Sequence, residues 1–106
     1  MAILEVNKTN FEKEVLESNL PVIADLWAPW CGPCKALHPV VESVAAAHEG
    51  RVKIVKVNID ESPSLAAKYQ VMSIPTLLFF KDGKIESQII GLVNQAKVES
   101  KLNPLL

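Results

Sequence analysis

The sequence lacks the features that would direct it to nucleic acid or to a membrane. Its 106 residues carry a formal net charge of −1, so there is no basic excess of the kind that binds nucleic acid or acidic lipids. No apolar stretch approaches the roughly 20 residues that a membrane-spanning helix needs. The segment Met1–Asn7 lacks a basic start followed by an apolar run, so we expect no signal peptide and a cytoplasmic location.

Cysteine and histidine are also scarce, with two of each. Cys31 and Cys34 are two residues apart, and such a pair can be a redox dithiol, half of a zinc site or an inert pair. A structural disulfide is disfavoured because closing so short a loop removes little entropy from the unfolded chain. Zinc is disfavoured because His38 lies about seven helical residues from Cys31, roughly 10 Å along the axis. We therefore favour a redox dithiol and expect no metal.

The hydrophobic pattern predicts one α/β domain over residues 1–106, a length that supports one core. Strands are predicted at Leu4–Val6, Val22–Trp27, Val52–Val57, Thr76–Phe80 and Ile85–Ile90, and helices at about Asn10–Ser18, Cys34–His48, Pro63–Tyr69 and Val93–Leu102. A Thr9-x-x-Glu12 capping box begins the first helix, and Asp82-Gly83 predicts a hairpin. Strands alternate with helices early and a hairpin comes late, which predicts a mixed sheet with helices on its faces.

The two cysteines occupy different positions on the helix that they open. The centre of its apolar stripe lies roughly 40° from Cys34 and roughly 100° from Cys31 on a helical wheel, so Cys34 should point inward and Cys31 should be reachable. Free N–H groups and the helix dipole favour a thiolate at Cys31, and Pro33 suits the first turn because it lacks an N–H. We interpret Cys31 as a nucleophile of low pKa and Cys34 as the resolving thiol. The stripe consists of Leu37, Val40, Val41, Val44 and Ala45.

A single acid, Asp25, interrupts the apolar run Val22–Trp27, six residues before Cys31. Such a run is typical of a central strand, where burial raises the pKa of a carboxyl group toward neutrality. Asp25 is then a candidate proton acceptor for Cys34, directly or through water. The alternative is an edge strand with Asp25 in solvent. Lys56, near the end of the next strand, is a candidate partner for Asp25 or an ordinary solvated lysine.

Three other side chains lie near the cysteines in sequence. Trp27 and Trp30 flank the approach to them, and we expect both to shape the site and its docking surface, although core packing is the alternative. His38 is interpreted as an exposed helical residue rather than a catalytic one.

Three segments together resemble the thioredoxin family. Ala24–Lys35 is similar to its active-site strand and motif, Ser73–Leu77 to its cis-proline loop, and Phe80–Gly83 to its hairpin. The resemblance spans nearly the whole chain. It implies the thioredoxin fold, a central mixed five-stranded sheet flanked by four helices, and we expect a monomer.

The resemblance also implies roles for individual residues. Asp25 would be the buried acid and Lys56 its neighbour, and Ile74-Pro75 would be a cis bond that places Ile74 backbone groups beside Cys31. Gly83 and Gly91 would make close backbone turns and contacts. The partner surface would comprise Trp30, Gly32, Pro33, Ile74 and Gly91.

The sequence departs from the family pattern at a few positions. Leu26 stands where Phe is frequent, which is a tolerable exchange in a core. Leu92 stands where a small residue commonly follows the glycine, next to the docking surface. His38 occupies a position that is usually small or apolar.

The predicted function is that of a protein disulfide reductase in electron transport and cell redox homeostasis. The Cys31 thiolate attacks a disulfide-containing protein, Cys34 resolves the mixed disulfide with help from Asp25, and a Cys31–Cys34 disulfide remains. A separate reductase, normally NADPH-dependent, would recycle it, because the sequence has no nucleotide-binding loop. We expect no bound cofactor. There are two alternatives: an oxidase or isomerase of the same fold, and a binding subunit whose thiols are dispensable. The Gly32-Pro33 pair argues against the oxidase or isomerase.

Overall fold

The computed structural model describes residues 3–106 of one chain, so Met1 and Ala2, on which part of the signal-peptide prediction depends, lie outside the described residues. The strands of the sheet are β1 (Leu4–Val6), β2 (Val22–Trp27), β3 (Lys53–Asn58), β4 (Thr76–Lys81) and β5 (Lys84–Ile90). The helical segments are α1 (Glu12–Leu16), α2 (Gly32–Ala47), α3 (Pro63–Lys68) and α4 (Gln95–Leu102), followed by a 3₁₀ turn at Asn103–Leu105. No helix within residues 3–106 is both long and apolar enough to cross a bilayer.

The sheet has the order β1-β3-β2-β4-β5, which places β2 at its centre. β2 runs parallel to β3 and antiparallel to β4. Asp25 therefore lies opposite Lys56 on one side and Leu77 on the other. The mixed five-stranded sheet is confirmed, and the solvent-facing alternative for Asp25 is wrong because β2 is not an edge strand.

Two apolar clusters, one on each face of the sheet, hold the helices. On one face, Leu37 and Val44 of α2 pack with Leu102 of α4. On the other, Phe11 and Phe80 pack edge to face at 5.9 Å between ring centroids. Each fully buried Leu or Phe side chain contributes roughly 1.5–3 kcal/mol relative to an exposed one, so both layers stabilise β2 and the loop that follows it.

The first helix differs from its prediction. The Thr9 side chain does not cap it; its hydroxyl donates instead to the Asn7 side chain, whose Oδ1 also accepts the Thr9 N–H at 2.9 Å. α1 is a five-residue segment with π-type bonding, in which the Glu17 N–H donates to the Glu12 carbonyl at 3.0 Å. Local side-chain bonds to the backbone compete with helical ones, so the capping-box prediction is wrong and the helix is shorter.

The hairpin between β4 and β5 is confirmed. Asp82 and Gly83 both have positive φ, 52° and 79°, as a two-residue type I′ turn requires. A Cβ atom on Gly83 would lie 2.9 Å from the Leu16 carbonyl oxygen. Glycine at this position is therefore required by both the turn and the contact with the end of α1.

Candidate active site

The site lies where β2 ends and α2 begins. Cys31 and Cys34 are joined by a disulfide, with 5.3 Å between their Cα atoms. Cys31 is the N-cap of α2 in an extended conformation, and its Sγ accepts the Cys34 N–H at 3.2 Å. An N–H group at a helix N-terminus stabilises negative charge on the atom that it bonds. The cap geometry therefore favours charge on the Cys31 sulfur.

Both sulfur-bearing residues are buried, Cys31 with 5% of its surface exposed and Cys34 with 3%. The prediction of an inward Cys34 is confirmed, whereas the predicted accessibility of Cys31 is wrong for this oxidised form. The helical wheel assumes ideal helix from the first residue, but Cys31 precedes the helix and has extended backbone angles. Within the described residues, no three His, Cys, Asp or Glu side chains form a group that could hold a metal ion.

Asp25 is the buried acid of the site, with 1% of its surface exposed. Neither carboxyl oxygen has a hydrogen-bond partner among residues 3–106. Burial raises the pKa of Asp25 to about 7; the positive charge of Lys56 opposes this rise and the negative charge of Glu5 adds to it. The predicted shift toward neutrality is confirmed, so Asp25 can exchange a proton at neutral pH.

Lys56 lies opposite Asp25 in the strand register, but its ammonium group is held elsewhere. Its Nζ is 3.2 Å from Nδ1 of His38 and 4.3 Å from the centroid of the Trp27 ring. Lys56 therefore acts on Asp25 through charge rather than through a direct hydrogen bond.

His38 lies in α2, as predicted, and its side chain is partly exposed. Its side chain is 37% exposed, and its Nε2 lies 3.4 Å from the Glu42 carboxylate, one turn along α2. The ring is a bridge between α2 and β3, since its other nitrogen contacts Lys56.

An apolar groove borders the disulfide. Trp30 is 68% exposed, and its Nε1–H donates to the Asp60 carboxylate at 3.1 Å. The groove has a volume of about 320 Å³ and is lined by Trp30, Ile59, Val71, Met72, Ser73 and Ile74. Its wall at Ile74 packs against the two cysteines. The predicted partner-surface residues Trp30 and Ile74 thus lie on either side of one opening.

The remaining predicted site residues are Gly32, Pro33, Pro75 and Gly91. The Ile74-Pro75 bond is cis, as the resemblance implied. The Gly91 N–H donates to the Pro75 carbonyl at 2.9 Å, and Gly91 has a φ of +97°. Gly32 and Pro33 are exposed in the first turn of α2.

Two residues of the groove were missed by reasoning from the sequence. Asp60 holds the Trp30 indole from a loop 30 residues away, and no local pattern connects those positions. Met72 is 94% exposed. Its signal was available, since an apolar residue directly precedes Ser73–Leu77, the segment already assigned to the site.

Comparison with known proteins gives a consistent set of relatives. The Thioredoxin family model matches residues 2–104. A thioredoxin of Porphyra purpurea is 45% identical over 103 residues, which cover 97% of this chain and 96% of the relative. Thioredoxin 1 of a Nostoc species is 45% identical over 101 residues, covering 95% and 94%. A thioredoxin of Rickettsia felis is 48% identical over 87 residues, covering 82% and 83%.

Proposed function

The chain belongs to the thioredoxin family and is a thiol–disulfide oxidoreductase that reduces disulfide bonds, and on that basis we propose a role for each residue of the site. The observation that carries the proposal is the pair of cysteines at the N-terminus of α2, with a buried acid of near-neutral pKa on the adjoining strand. A redox dithiol needs a stabilised thiolate and a proton acceptor for the second thiol.

Cys31 is the nucleophile in this proposal. Its thiolate attacks one sulfur of the substrate disulfide, a Cys31–substrate disulfide forms, and the other substrate sulfur leaves as a thiolate. The Cys34 N–H at 3.2 Å from the Cys31 sulfur and the positive end of the helix dipole both stabilise the attacking thiolate. Cys31 has to become accessible for this step, so the reduced form or the docking event exposes it more than the oxidised form does.

Cys34 is the resolving thiol, and Asp25 is its proton acceptor. Asp25 takes the Cys34 proton, directly or through water, and the new thiolate attacks the Cys31 sulfur and expels the second substrate thiolate. A carboxyl group whose pKa is about 7 matches this task because it is partly ionised at neutral pH yet basic enough to accept a proton. Lys56 limits the rise of that pKa through its charge.

The partner surface is the groove beside the disulfide. Trp30, Ile74 and Gly91 bind an extended segment of the substrate protein around its disulfide, and Gly32, Pro33 and Pro75 shape the surface and the turn that present the sulfurs. Trp30 is oriented by Asp60, which leaves its ring face available for apolar contact.

The oxidised protein requires a reductase that supplies two electrons and two protons to the Cys31–Cys34 disulfide. We propose an NADPH-dependent reductase as this partner and the cytosol as the compartment, since a dithiol reductase works where thiols are kept reduced. The protein acts as a monomer that meets both partners through one surface.

Trapping tests this division of labour. Cys34→Ser, incubated with a disulfide-bonded protein, should accumulate a covalent complex through Cys31 that dithiothreitol releases. Cys31→Ser is the matched control and should trap nothing. A Cys34→Ser protein that forms no complex would contradict the assigned roles.

The reductase is tested by coupled turnover. Reduction of a disulfide-bonded protein should proceed with NADPH only when an NADPH-dependent thioredoxin reductase is added. A midpoint potential more oxidising than that of the glutathione pool would instead indicate the oxidase or isomerase alternative.

A further inference from the structure

His38 connects the helix that carries the cysteines to the strand that carries Lys56. It follows Cys34 by one helical turn, and side chains four residues apart on a helix lie on the same face. Its Nδ1 is 3.2 Å from Nζ of Lys56, and Lys56 lies opposite Asp25 in the sheet. The residue therefore touches the group whose charge acts on Asp25.

The contact determines the protonation state of the ring. A lysine ammonium group has three N–H donors and no acceptor, so Nδ1 must accept and carry no proton. The remaining ring proton is then on Nε2, which lies 3.4 Å from the Glu42 carboxylate. In this neutral tautomer, His38 holds the ammonium group of Lys56 against the face of Trp27.

The ammonium group is consequently kept out of contact with the acid. The Asp25 oxygens have no hydrogen-bond partner among the described residues, although Lys56 is their register neighbour. A direct ammonium–carboxylate bond would favour the ionised acid and make it a weaker base. The hydrogen bond to His38 and the contact with Trp27 hold the ammonium group at a position from which it makes no hydrogen bond to the Asp25 oxygens.

We propose that His38 is a positioning residue for the resolving step: its Nδ1 holds the Lys56 ammonium group beside Trp27 and so leaves the Asp25 carboxyl group free to accept the Cys34 proton. This inference rests on the proposed role of Asp25 as proton acceptor. His38 acts through Lys56 and touches neither sulfur.

Loss of the His38 contact should change the charge around Asp25. The charged groups that face the ring are Glu42 on α2 and Lys56 on β3, and those that face Lys56 are Asp25 on β2 and Glu5 on β1. A variant without the Nδ1 acceptor loses the hydrogen bond that holds Lys56. The released Lys56 then moves toward the carboxylates of Asp25 and Glu5.

A symmetrical chromogenic aromatic disulfide separates the two steps, because attack by Cys31 releases one coloured thiolate and resolution by Cys34 releases the second. Stopped-flow absorbance between pH 5 and 9 gives the rate of each phase. For His38→Leu, we expect the pH at the midpoint of the second-phase rate profile to fall by about half a unit. We expect the rate at the plateau of that profile to fall about two-fold. The first phase should not change.

His38→Asn is the conservative variant. Its Oδ1 takes the place of Nδ1 as an acceptor for Lys56, so it should restore the wild-type midpoint. His48→Leu is the matched control, since it removes the other histidine about 15 Å along the same helix and should leave both phases unchanged.

Asp25→Asn distinguishes the failure of this inference from the failure of the proposed function. It should slow the second phase about ten-fold or more, and His38→Leu should add nothing in that background. If Asp25→Asn slows the second phase but His38→Leu leaves its midpoint unchanged, the inference about His38 is overturned. If Asp25→Asn itself has no effect, the proposed role of Asp25 is overturned together with it.

Discussion

Polar side chains at the two ends of α2 differ in their hydrogen bonding. At the first end, Asp25 is buried without a hydrogen-bond partner among the described residues and Trp30 is exposed. At the last end, His48 Nε2 lies 3.0 Å from the Glu99 carboxylate and His48 Nδ1 lies 3.1 Å from the Arg51 guanidinium. One end thus keeps an acid unpaired, whereas the other connects α2 to α4 through satisfied contacts.

The difference shows which end of α2 carries an energetic cost in the folded state. An unpaired buried carboxyl group raises the free energy of the folded state, and it persists only because the surrounding core stabilises β2 independently. The C-terminal end of α2, whose neighbour Leu102 is fully buried, supplies part of that stabilisation. Substitutions at the first end should therefore alter chemistry, and substitutions at the last end should alter stability.

The largest effect is expected from Cys31→Ser at the reactive end. It removes the proposed nucleophile, so reduction of a disulfide-bonded protein should fall by about a thousand-fold or more. Its free energy of unfolding, measured with denaturant, should match that of the reduced wild type to within about 1 kcal/mol. A Cys31→Ser protein that loses both activity and unfolding free energy would contradict the idea that the first end of α2 affects chemistry alone.

Asp25→Asn should make the oxidised protein more stable in alkaline conditions. Because the folded state raises the pKa of Asp25 from 3.8 to about 7, the folded protein binds this proton more tightly than the unfolded chain does. The contribution of Asp25 to stability is therefore greatest below pH 4 and falls as pH rises toward 7, by up to about 4 kcal/mol.

Denaturant unfolding of the wild type and of Asp25→Asn between pH 4 and 9 measures this difference directly. The stability of the variant should rise relative to that of the wild type as pH increases from 4 to about 7 and keep a constant advantage from there to pH 9. A difference that does not vary with pH would show that the acid titrates normally in the folded state. Glu86→Gln, an exposed acid on β5, is the control.

Leu102→Ala tests the opposite end of the comparison. Leu102 is fully buried in the cluster beneath α2 and α4, so truncation should lower the free energy of unfolding by about 2–5 kcal/mol. The rate of disulfide reduction at a temperature where the variant is folded should stay within about two-fold of the wild type. Leu106→Ala, at a half-exposed position four residues later, should cost less than about 1 kcal/mol.

The smallest effect is expected from Glu99→Ala, which removes the acceptor for His48. A partly buried hydrogen bond of this kind contributes about 1 kcal/mol, so thermal unfolding should occur a few degrees lower with unchanged activity. Lys97→Ala, on the exposed side of α4, is the control for the effect of introducing an alanine into this helix. A loss of activity in Glu99→Ala would show that the two ends of α2 are coupled.

Much of the fold could be predicted because its signals are local. Val22–Trp27 is apolar except for Asp25, and β2 has the predicted bounds. The raised pKa of Asp25 followed from one acid in that run. The hairpin followed from Asp82-Gly83, since few other residue pairs adopt positive φ at both positions.

The errors concern contacts between segments distant in sequence and competition within a turn. The His38–Lys56 and Trp30–Asp60 contacts join α2 and its entry loop to β3 and the loop after it, and no periodicity encodes such pairs. The exposure of Cys31 was predicted wrongly because an N-cap residue lies outside the helix, so a helical wheel does not place its side chain correctly. α1 was misjudged because Asn7 side-chain bonds replaced the predicted cap.

The sheet order has a consequence for the protein during its synthesis. Both neighbours of β2 come later in the chain, β3 ending at Asn58 and β4 at Lys81. With synthesis at about 5–20 residues per second, the nascent chain carries Cys31 and Cys34 for several seconds before the central strand can be enclosed. During that interval Asp25 lacks the neighbouring strands β3 and β4 that enclose it in the folded protein. The newly synthesised dithiol therefore lacks its folded environment until β3 and β4 have been added.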